Sequence, residues 1–529
     1  MPASPGPFNI LDFGAVPDGR TRCTAAIRRA IECCKAAGGG TVLVPAGRFL
    51  TGPIVLASDI TLHVDAGAHV LFSTDLDDYP TVLQHRGGGH CHGFSPCVFA
   101  ENASNVAVVG RGILDGQGRP WWKLVMDRIE NRPVDPAVRA RIDAFQRADR
   151  EMNLPGGTGG FNRPILLQFV ACTNVLVQGV TLTNSPTWTL HPLFCENVTV
   201  HAITLINPFD APNTDGVNPD SCRNVRISDC LIDTGDDCVT LKSGVGRGDH
   251  RPCENIAVTN CSMVHGHGGV VIGSEMSGGV RNVVVSNCIF DETYRGVRIK
   301  SRRGRGGAVE DIRVSNIIMR RVVCPLVINL FYSCGGEPDD PYLYGTDAKP
   351  VDERTPTVRR IHLSGITATD FRGAAAFICG LPERPVEGVT FSDMRMTADP
   401  EETEGGCPAC FHGMDNMIGR GFNCTHLADA VFRNVHVSAL DGPAFNFDAV
   451  SEVDVLGLRT AVADPNVPAV RLGDSASVVV RGCRRPAGTD TFCRITGART
   501  KALQLCDNHF PDGAVEIDRD LDPEAVVVR

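Results

Sequence analysis

The 529-residue sequence predicts an all-β solenoid, a single-stranded parallel β-helix with a capping helix near its N-terminus. Three observations lead there. One short phrase, a polar residue followed by alternating apolar ones, recurs at Asn105, Asn174, Asn197, Asn224, Asn255, Asn282 and Asp311. From Asn174 to Asp311 the steps are 23, 27, 31, 27 and 29 residues. The composition favours strands and turns, with 56 glycines, 6% aromatic residues and frequent Val and Ile. Alternation at such a period marks a stack of coils. Propeller blades need about 40 residues and four strands each, so these steps are too short for them. Coils pairing in parallel at about 4.8 Å bury the inward side chains of each on the next. The recurrent Asn suits either inward-facing or turn ladders.

In chain order, Thr24–Ala37 reads as a helix with Ile27, Ala30, Ile31 and Cys34 on one face, stopped by Gly38-Gly39-Gly40. An open coil end needs such a cover. The stretch Gln117–Asn162 is charged, contains Pro and is partly helical in pattern; it reads as a functional insertion. Gly336–Thr357, with Pro338, Pro341, Pro350 and Pro356, has the same character. Weaker copies of the phrase follow at Ile361, Val389, Val431, Val453 and Val478. No compositional linker divides the chain, so one β-helix domain over 1–529 is expected. Its parts are a cap and first coils over 8–75, the motif-bearing coils over 100–395, and C-terminal coils and tail over 396–529.

The net charge of −10 and pI near 5.8 argue against non-specific nucleic-acid or anionic-membrane binding. An acidic substrate would need a local basic patch. Met1–Arg20 has neither a basic n-region nor an apolar h-region, and no apolar run approaches a membrane span. With this length and no leader, the 22 cysteines read as buried thiols in a reducing cytosol, and a cytoplasmic location is expected.

Carboxylates gather in the most regular coils. Asn213-Thr214-Asp215-Gly216 is followed by Gly235-Asp236-Asp237-Cys238, 21 and 22 residues from Asp215 to the two later aspartates. One coil later, Asp215 should lie beside that pair. Adjacent carboxylates push their pKa values apart, so one holds a proton while another stays ionised, which suits inverting glycoside hydrolysis. Gly266-His267-Gly268 and Arg298-Ile299-Lys300 come on the following coils, so all four motifs are expected on one face. Arg302, Arg303 and Arg305 follow as the basic patch. Each motif alone has a plainer reading: a turn for Asn-Thr-Asp-Gly, a solvated loop for Asp-Asp, a structural His, an exposed strand face.

Asn-Thr-Asp, Gly-Asp-Asp, Gly-His-Gly and Arg-Ile-Lys in this order resemble glycoside hydrolase family 28, the polygalacturonases. Other segments resemble its bacterial, exo-acting members: Ile10–Ala15, Leu114-Asp115-Gly116-Gln117-Gly118 with Trp121-Trp122, Arg163-Pro164, and Asn184–Trp188. The likeness covers about residues 8–395. It implies a right-handed, pectin-lyase-like β-helix and single-displacement hydrolysis of α-1,4-linked galacturonate, with no metal or other cofactor. By motif match, Asp236 is the general acid, Asp215 and Asp237 activate the water, and His267 tunes the acid. Arg298 and Lys300 hold the substrate carboxylate. Asn213, Arg302, Trp188 and His191 join them as substrate-side residues, with core packing the alternative for Trp188 and His191. Trp121-Trp122 reads as a packing anchor rather than a sugar platform.

The expected partner is an acidic pectic oligosaccharide, with no nucleic acid and no membrane; a homo-oligomer is left open. Exo action follows from three considerations: a cytosolic enzyme meets oligomers, the insertion could block one cleft end, and the acidic surface disfavours long polyanions. Rivals are a rhamnogalacturonan or branched-pectin glycosidase of the same family, a calcium-dependent pectate lyase, and a non-catalytic carbohydrate-binding β-helix. Arg247-Gly248-Asp249 and the Gly304–Gly307 run read as chance adhesion-like and RNA-box-like matches. Cys407-x-x-Cys410-x-His412 with Cys424-x-His426 has zinc-like donors but no common zinc spacing, so buried thiols and a loop His are favoured. His85, His90, Cys91, His92 and Cys97 read the same way.

Overall fold

The computed structural model describes residues 6–86, 89–152, 154, 163–245, 251–337, 339–485, 489–510, 514–519 and 521–529. The Arg247-Gly248-Asp249 tripeptide, Pro338 and the end of the expected insertion lie outside them. Two compact units, Met1–Gly266 and His267–Arg529, make up the chain.

In the first unit three stacks of parallel strands repeat with each coil. One contains Ile54–Val55, Val98–Glu101, Leu167–Val170 and Leu190–Leu193. Parallel bridges carry it on through Val217 to Val239. A second includes Ile60–Val64, Ser104–Gly110, Thr173–Gln178, Glu196–His201, Arg223–Ser228 and Cys253–Thr259. The third includes Ala68–Phe72, Ile113–Asp115, Thr181–Thr183, Thr204–Ile206, Leu231–Thr234 and Ser262–His265. Inward Val, Ile and Leu of each coil rest on the same position of the next, as Val175 does on Val198 and Val198 on Val225.

The phrase that betrays the coils begins with Asn for a physical reason. Asn105, Asn174, Asn197, Asn224 and Asn255 all hold φ between 56° and 60°. That left-handed conformation costs most L residues about 1–2 kcal/mol, and Asn tolerates it best after Gly. Their amides also form a ladder along the coils. Asn174 donates to Asn105 (3.0 Å), Asn197 to Asn174 (3.2 Å), Asn224 to Asn197 (3.1 Å) and Asn255 to Asn224 (3.0 Å). The ladder therefore runs along an outer turn and not inside the coils.

The expected capping helix spans Thr24–Ala36 and buries Ala26, Ile27, Ala30, Ile31 and Cys34 against the first strands. Gly38 and Gly39, at φ 92° and 107°, donate to the carbonyls of Lys35 and Cys34 and end it. The insertion supplies two helices, Arg119–Ile129 and Pro136–Glu151. Trp121 packs edge-on against Tyr79 and Phe94, as an anchor should, whereas Trp122 is only half-buried and donates to the Ser185 carbonyl (2.8 Å).

The second unit is built differently from the first. Two sides fuse into long strands, Val280–Asp291, Ala308–Arg320, Thr357–Phe371, Val386–Ala398 and Leu427–Ala439. A second stack runs beside them, buried over Gly268–Gly273, Arg295–Lys300, Cys324–Asn329 and Ala374–Cys379, and continuing through Arg420–Thr425 to Val515–Ile517. Coils persist to Val526–Val528, with Phe391 stacked on Phe432 and Phe422 on Phe445 inside.

All 22 cysteines carry free thiols, and most are buried. Replacing Asn197 with Ala should lower unfolding free energy by about 1–3 kcal/mol, the cost of the strained turn plus two ladder bonds. Asn197→Gly relieves the backbone and should lose less. Urea unfolding of the two variants measures this; an Ala variant as stable as the parent would refute the ladder's role.

Candidate active site

Coil stacking places the first carboxylates as the spacing predicts. The Asp215 carbonyl accepts from Thr189 N (2.8 Å), and Gly216 N donates to the Asp237 carbonyl (2.9 Å). Asp215 thus lies in register with Asp237, 22 residues on. One oxygen from each of Asp215, Asp236 and Asp237 lies within 4.8 Å of the others. Asp215 (4% exposed) and Asp237 (1%) are buried, while Asp236 is more open. The flanking glycines allow this closeness. A Cβ on Gly216 would meet the Cys238 carbonyl at 2.4 Å, and one on Gly235 the Ala211 carbonyl at 2.5 Å.

Three carboxylates this close, two of them buried, repel one another unless something compensates. Lys242 Nζ stands 4.0 Å from Asp215 Oδ2 and lies over the Trp188 ring, 4.9 Å from its centroid. Asn218 Nδ2 donates to Asp215 Oδ2 (3.2 Å), and Asp237 N donates to Asp236 Oδ1 (2.9 Å). Burial pushes the Cys238 thiol's pKa well above its ordinary value, and the charges of Asp237, Asp233, Asp236 and Asp215 add to that. Lys242 and Asn218 had escaped the sequence reading. The available signal was a lysine closing the buried run Cys238–Leu241, where an unpaired charge is costly.

Several expected substrate-side residues prove to be supports. Asn213, at φ 57°, accepts from Arg163 Nη2 (2.7 Å), and Arg163 also ties down the carbonyls of Pro186 and Pro212 (2.8 and 2.9 Å). His191 is 0% exposed, bonded to Gln168 (3.0 Å) and set edge-on to Trp188, so it cannot touch a ligand directly. Trp188 is buried too and serves as the seat of Lys242. Asp115 accepts from Gln117 N (2.9 Å) and Asn184 (3.0 Å), fixing the turn that leads to Trp188. Beside that turn, a cavity of about 800 Å³ is lined by Asp115, Gln117, Trp122, Lys123, Asn184 and Asp210, among others.

In the second unit His267 stacks on Tyr294, centroids 5.5 Å apart. Arg298 and Lys300 lie on the buried strand Arg295–Lys300, both beside the Tyr332 ring at 5.6 and 5.4 Å. The expected Arg302–Arg303–Arg305 patch is corrected. Arg303 is 0% exposed and forks onto Glu383 (2.6 and 2.8 Å), while Arg302 is buried and donates to the Gly335 carbonyl. Both anchor loops; a buried guanidinium without such partners would be prohibitive.

Neither thiol–histidine group brings three donor atoms together among the described residues, outside which the His85 side chain lies. Cys424 is buried in a core strand, His412 sits against Tyr344, and Cys407 Sγ donates to the Ala409 carbonyl (2.8 Å). His92 bonds to Asp149 (2.8 Å), and Cys97 contacts Tyr79. Among the described residues, the acidic triad alone gathers metal-type donors, and Lys242 already places a cation against it.

A β-helix bearing three clustered carboxylates, two buried and one more open, has the equipment of a glycoside-cleaving hydrolase. Comparison narrows the class. The model for glycosyl hydrolases family 28 matches residues 153–409, and one described as rhamnogalacturonase A/epimerase, pectate lyase-like, matches 7–71. The chain is 31% identical over 399 residues to a probable polygalacturonase of Vitis vinifera, covering 73% of each. It is 29% identical to an endo-polygalacturonase of Pectobacterium carotovorum, covering 71% of this chain and 84% of that one. A crystal structure of a hyperthermoactive exopolygalacturonase from Thermotoga maritima aligns with TM-score 0.64 and 35% identity, over 74% of this chain and 86% of that one. The chain belongs to glycosyl hydrolase family 28, and its fold is the right-handed parallel β-helix.

Replacing Lys242 with Met removes the cation beside Asp215 and raises that carboxylate's pKa. Turnover should fall at least about tenfold and the acid limb of the pH–rate profile should move to higher pH. A pH–rate series checks this; an unmoved acid limb would show that Lys242 does not act on Asp215.

Proposed function

We propose that the protein is a polygalacturonase that hydrolyses α-1,4-galacturonosidic bonds from the end of short pectic oligosaccharides and releases galacturonate. The observation that carries this reading is the triad, three carboxylates whose oxygens lie within 4.8 Å with Lys242 beside Asp215. Asp236, the most open of the three, protonates the leaving oxygen. Asp215 and Asp237 polarise the attacking water, and Lys242 and Asn218 keep Asp215 ionised for that task. His267, given this part by motif match, tunes the acid. Arg298 and Lys300, by motif match, hold a galacturonate carboxylate; Arg supplies the bidentate fork and Lys the point charge.

Three observations support exo action on oligomers. The 35% identical structural neighbour is an exopolygalacturonase. Helix Arg119–Ile129 walls a cavity that also contains Pro208 and Asp210, and the Pro208–Ala211 turn touches Gly235, next to Asp236. A helix standing along one side of a cleft near the triad favours a chain end over a chain middle. The 22 free thiols suit a reducing compartment, and we place the enzyme in the cytoplasm. No helix among the described residues is long and apolar enough to cross a membrane.

Direct displacement by water inverts the anomeric centre. The close carboxylates favour a second reading for that step alone. Inverting pairs usually stand about 6.5–9.5 Å apart and retaining pairs about 5–5.5 Å, so a span within 4.8 Å would by itself suggest retention. A third carboxylate changes what spacing signifies, because two can share one water while the other acts as acid. The N-terminal match to the rhamnogalacturonase model favours a branched-pectin substrate as the alternative.

Saturated galacturonate oligomers of defined length, given with a chelator and followed by mass spectrometry and proton NMR, test the whole reading. Free galacturonate should accumulate from the start as chains shorten by one, with the β-anomer appearing first. Mid-length products would overturn exo action, and an initial α-anomer would overturn inversion. Unsaturated products would mean a lyase.

A further inference from the structure

We propose that Cys334 and Cys410 form a redox-active dithiol beside the Arg298 guanidinium, which a peroxide converts to a disulfide. The two cysteines are 76 positions apart in sequence, and specific bonds bring their segments together. Ser333 N and Asn329 Nδ2 both donate to the Cys410 carbonyl (3.1 and 2.9 Å). Arg295 holds the preceding loop through the carbonyls of Pro408 (3.1 Å) and Cys407 (2.7 Å). Arg298 Nη2 donates to Cys410 Sγ at 3.3 Å, and the bond from Ser333 N to the Cys410 carbonyl sets the next residue, Cys334, beside it. Cys334 is exposed and Cys410 half-buried, so small solutes can reach the pair.

Charge distinguishes the two sulfurs. The hydrogen bond from Cys334, then the charges of Arg298, Arg295 and Lys300, bring the Cys410 thiol down to about 4 against the opposing effect of burial. Cys334 is pushed up, first by the same hydrogen bond and then by burial, and stays protonated. Burial alone pushes Cys379 up to about 12, and Cys97, Cys253 and Cys493 reach the same level chiefly through burial. Reactive thiols are those held as thiolate by nearby cations with solvent access; buried neutral ones are inert. Cys410 has the features of the first kind and Cys334 is placed to resolve it.

The chemistry balances with peroxide as oxidant. The Cys410 thiolate attacks one peroxide oxygen; an S–O bond forms, the O–O bond breaks, and hydroxide leaves. The Cys334 thiol then attacks the sulfenic sulfur, the disulfide forms, and water departs with the Cys334 proton. Two thiols are oxidised and one peroxide is reduced to water. The disulfide takes the anion away from Arg298 and locks the Cys407–Phe411 loop to the segment after Asn329. This site does not depend on which glycoside the enzyme cleaves.

The test uses the full reduced chain and readouts other than turnover. Iodoacetamide labelling followed by peptide mass spectrometry should give a Cys410 rate nearly flat from pH 5 to pH 8. Ordinary thiols speed up about tenfold per pH unit over that range. At pH 5 Cys410 should label faster than the exposed Cys33, because the cations beside it favour its thiolate. One equivalent of hydrogen peroxide should then yield a Cys334–Cys410 linked peptide, reversed by dithiothreitol. In Cys334→Ser, a dimedone-reactive sulfenic acid should persist on Cys410. A Cys410 rate that climbs with pH like the others, or peroxide oxidation that leaves this pair unlinked, would overturn the proposal.

Discussion

The hydrogen-bonded register between one coil and the next is the constraint on which the other features depend. Strand N–H groups donate to carbonyls one coil away, as Thr189 does to Asp215 and Gly216 to Asp237. Residues that share a coil position therefore meet at about the spacing of paired strands. Repetition of like on like follows. Val rests on Val, Asn bonds to Asn, Phe stacks on Phe, and aspartate comes to lie beside aspartate. For apolar and amide side chains this repetition is favourable. For carboxylates it is costly, and Lys242 and Asn218 stand against Asp215 where that cost falls.

Buried charge in each unit is balanced locally, in opposite senses. In the first, Lys242 and Asn218 face Asp215, and glycines clear the backbone so that the aspartates approach. In the second, Arg295, Arg298 and Lys300 gather on one strand, and the chain answers with Cys407 and Pro408 carbonyls and the Cys410 sulfur. Arg303 is matched fully by Glu383. Breaking such a buried pair by removing one partner typically costs about 3–5 kcal/mol, so these loop anchors hold the loops firmly.

Much of this was legible in the sequence because a coil reports its own period. Asn at the left-handed turn, followed by alternating apolar residues, is a local requirement, and it located the coils. The offset of 22 residues then placed Asp215 on Asp237. What escaped was set by distant partners. Arg303 reads like Arg302 or Arg305 until Glu383, 80 residues later, is seen to hold it. Arg298 meets Cys410 across 112 residues, and no periodicity announces that contact. Trp121 and Trp122 are adjacent in sequence yet differ because successive helix positions point about 100° apart, which turns the first to the core and the second towards the Ser185 turn. The fusion of two coil sides into strands of 12 to 15 residues leaves the alternation unchanged, so the pattern did not distinguish the two arrangements.

The proposed function rests on the stacked aspartates transferring the proton and activating the water. The initial rate of Asp236→Asn on saturated galacturonate oligomers, alongside a melting curve matching the parent, measures that step. Removing the acid while keeping its shape should lower turnover by about 10²–10⁴-fold with the fold intact. Parental turnover from a folded Asp236→Asn variant would contradict the assignment and send the search for the acid elsewhere in the coils.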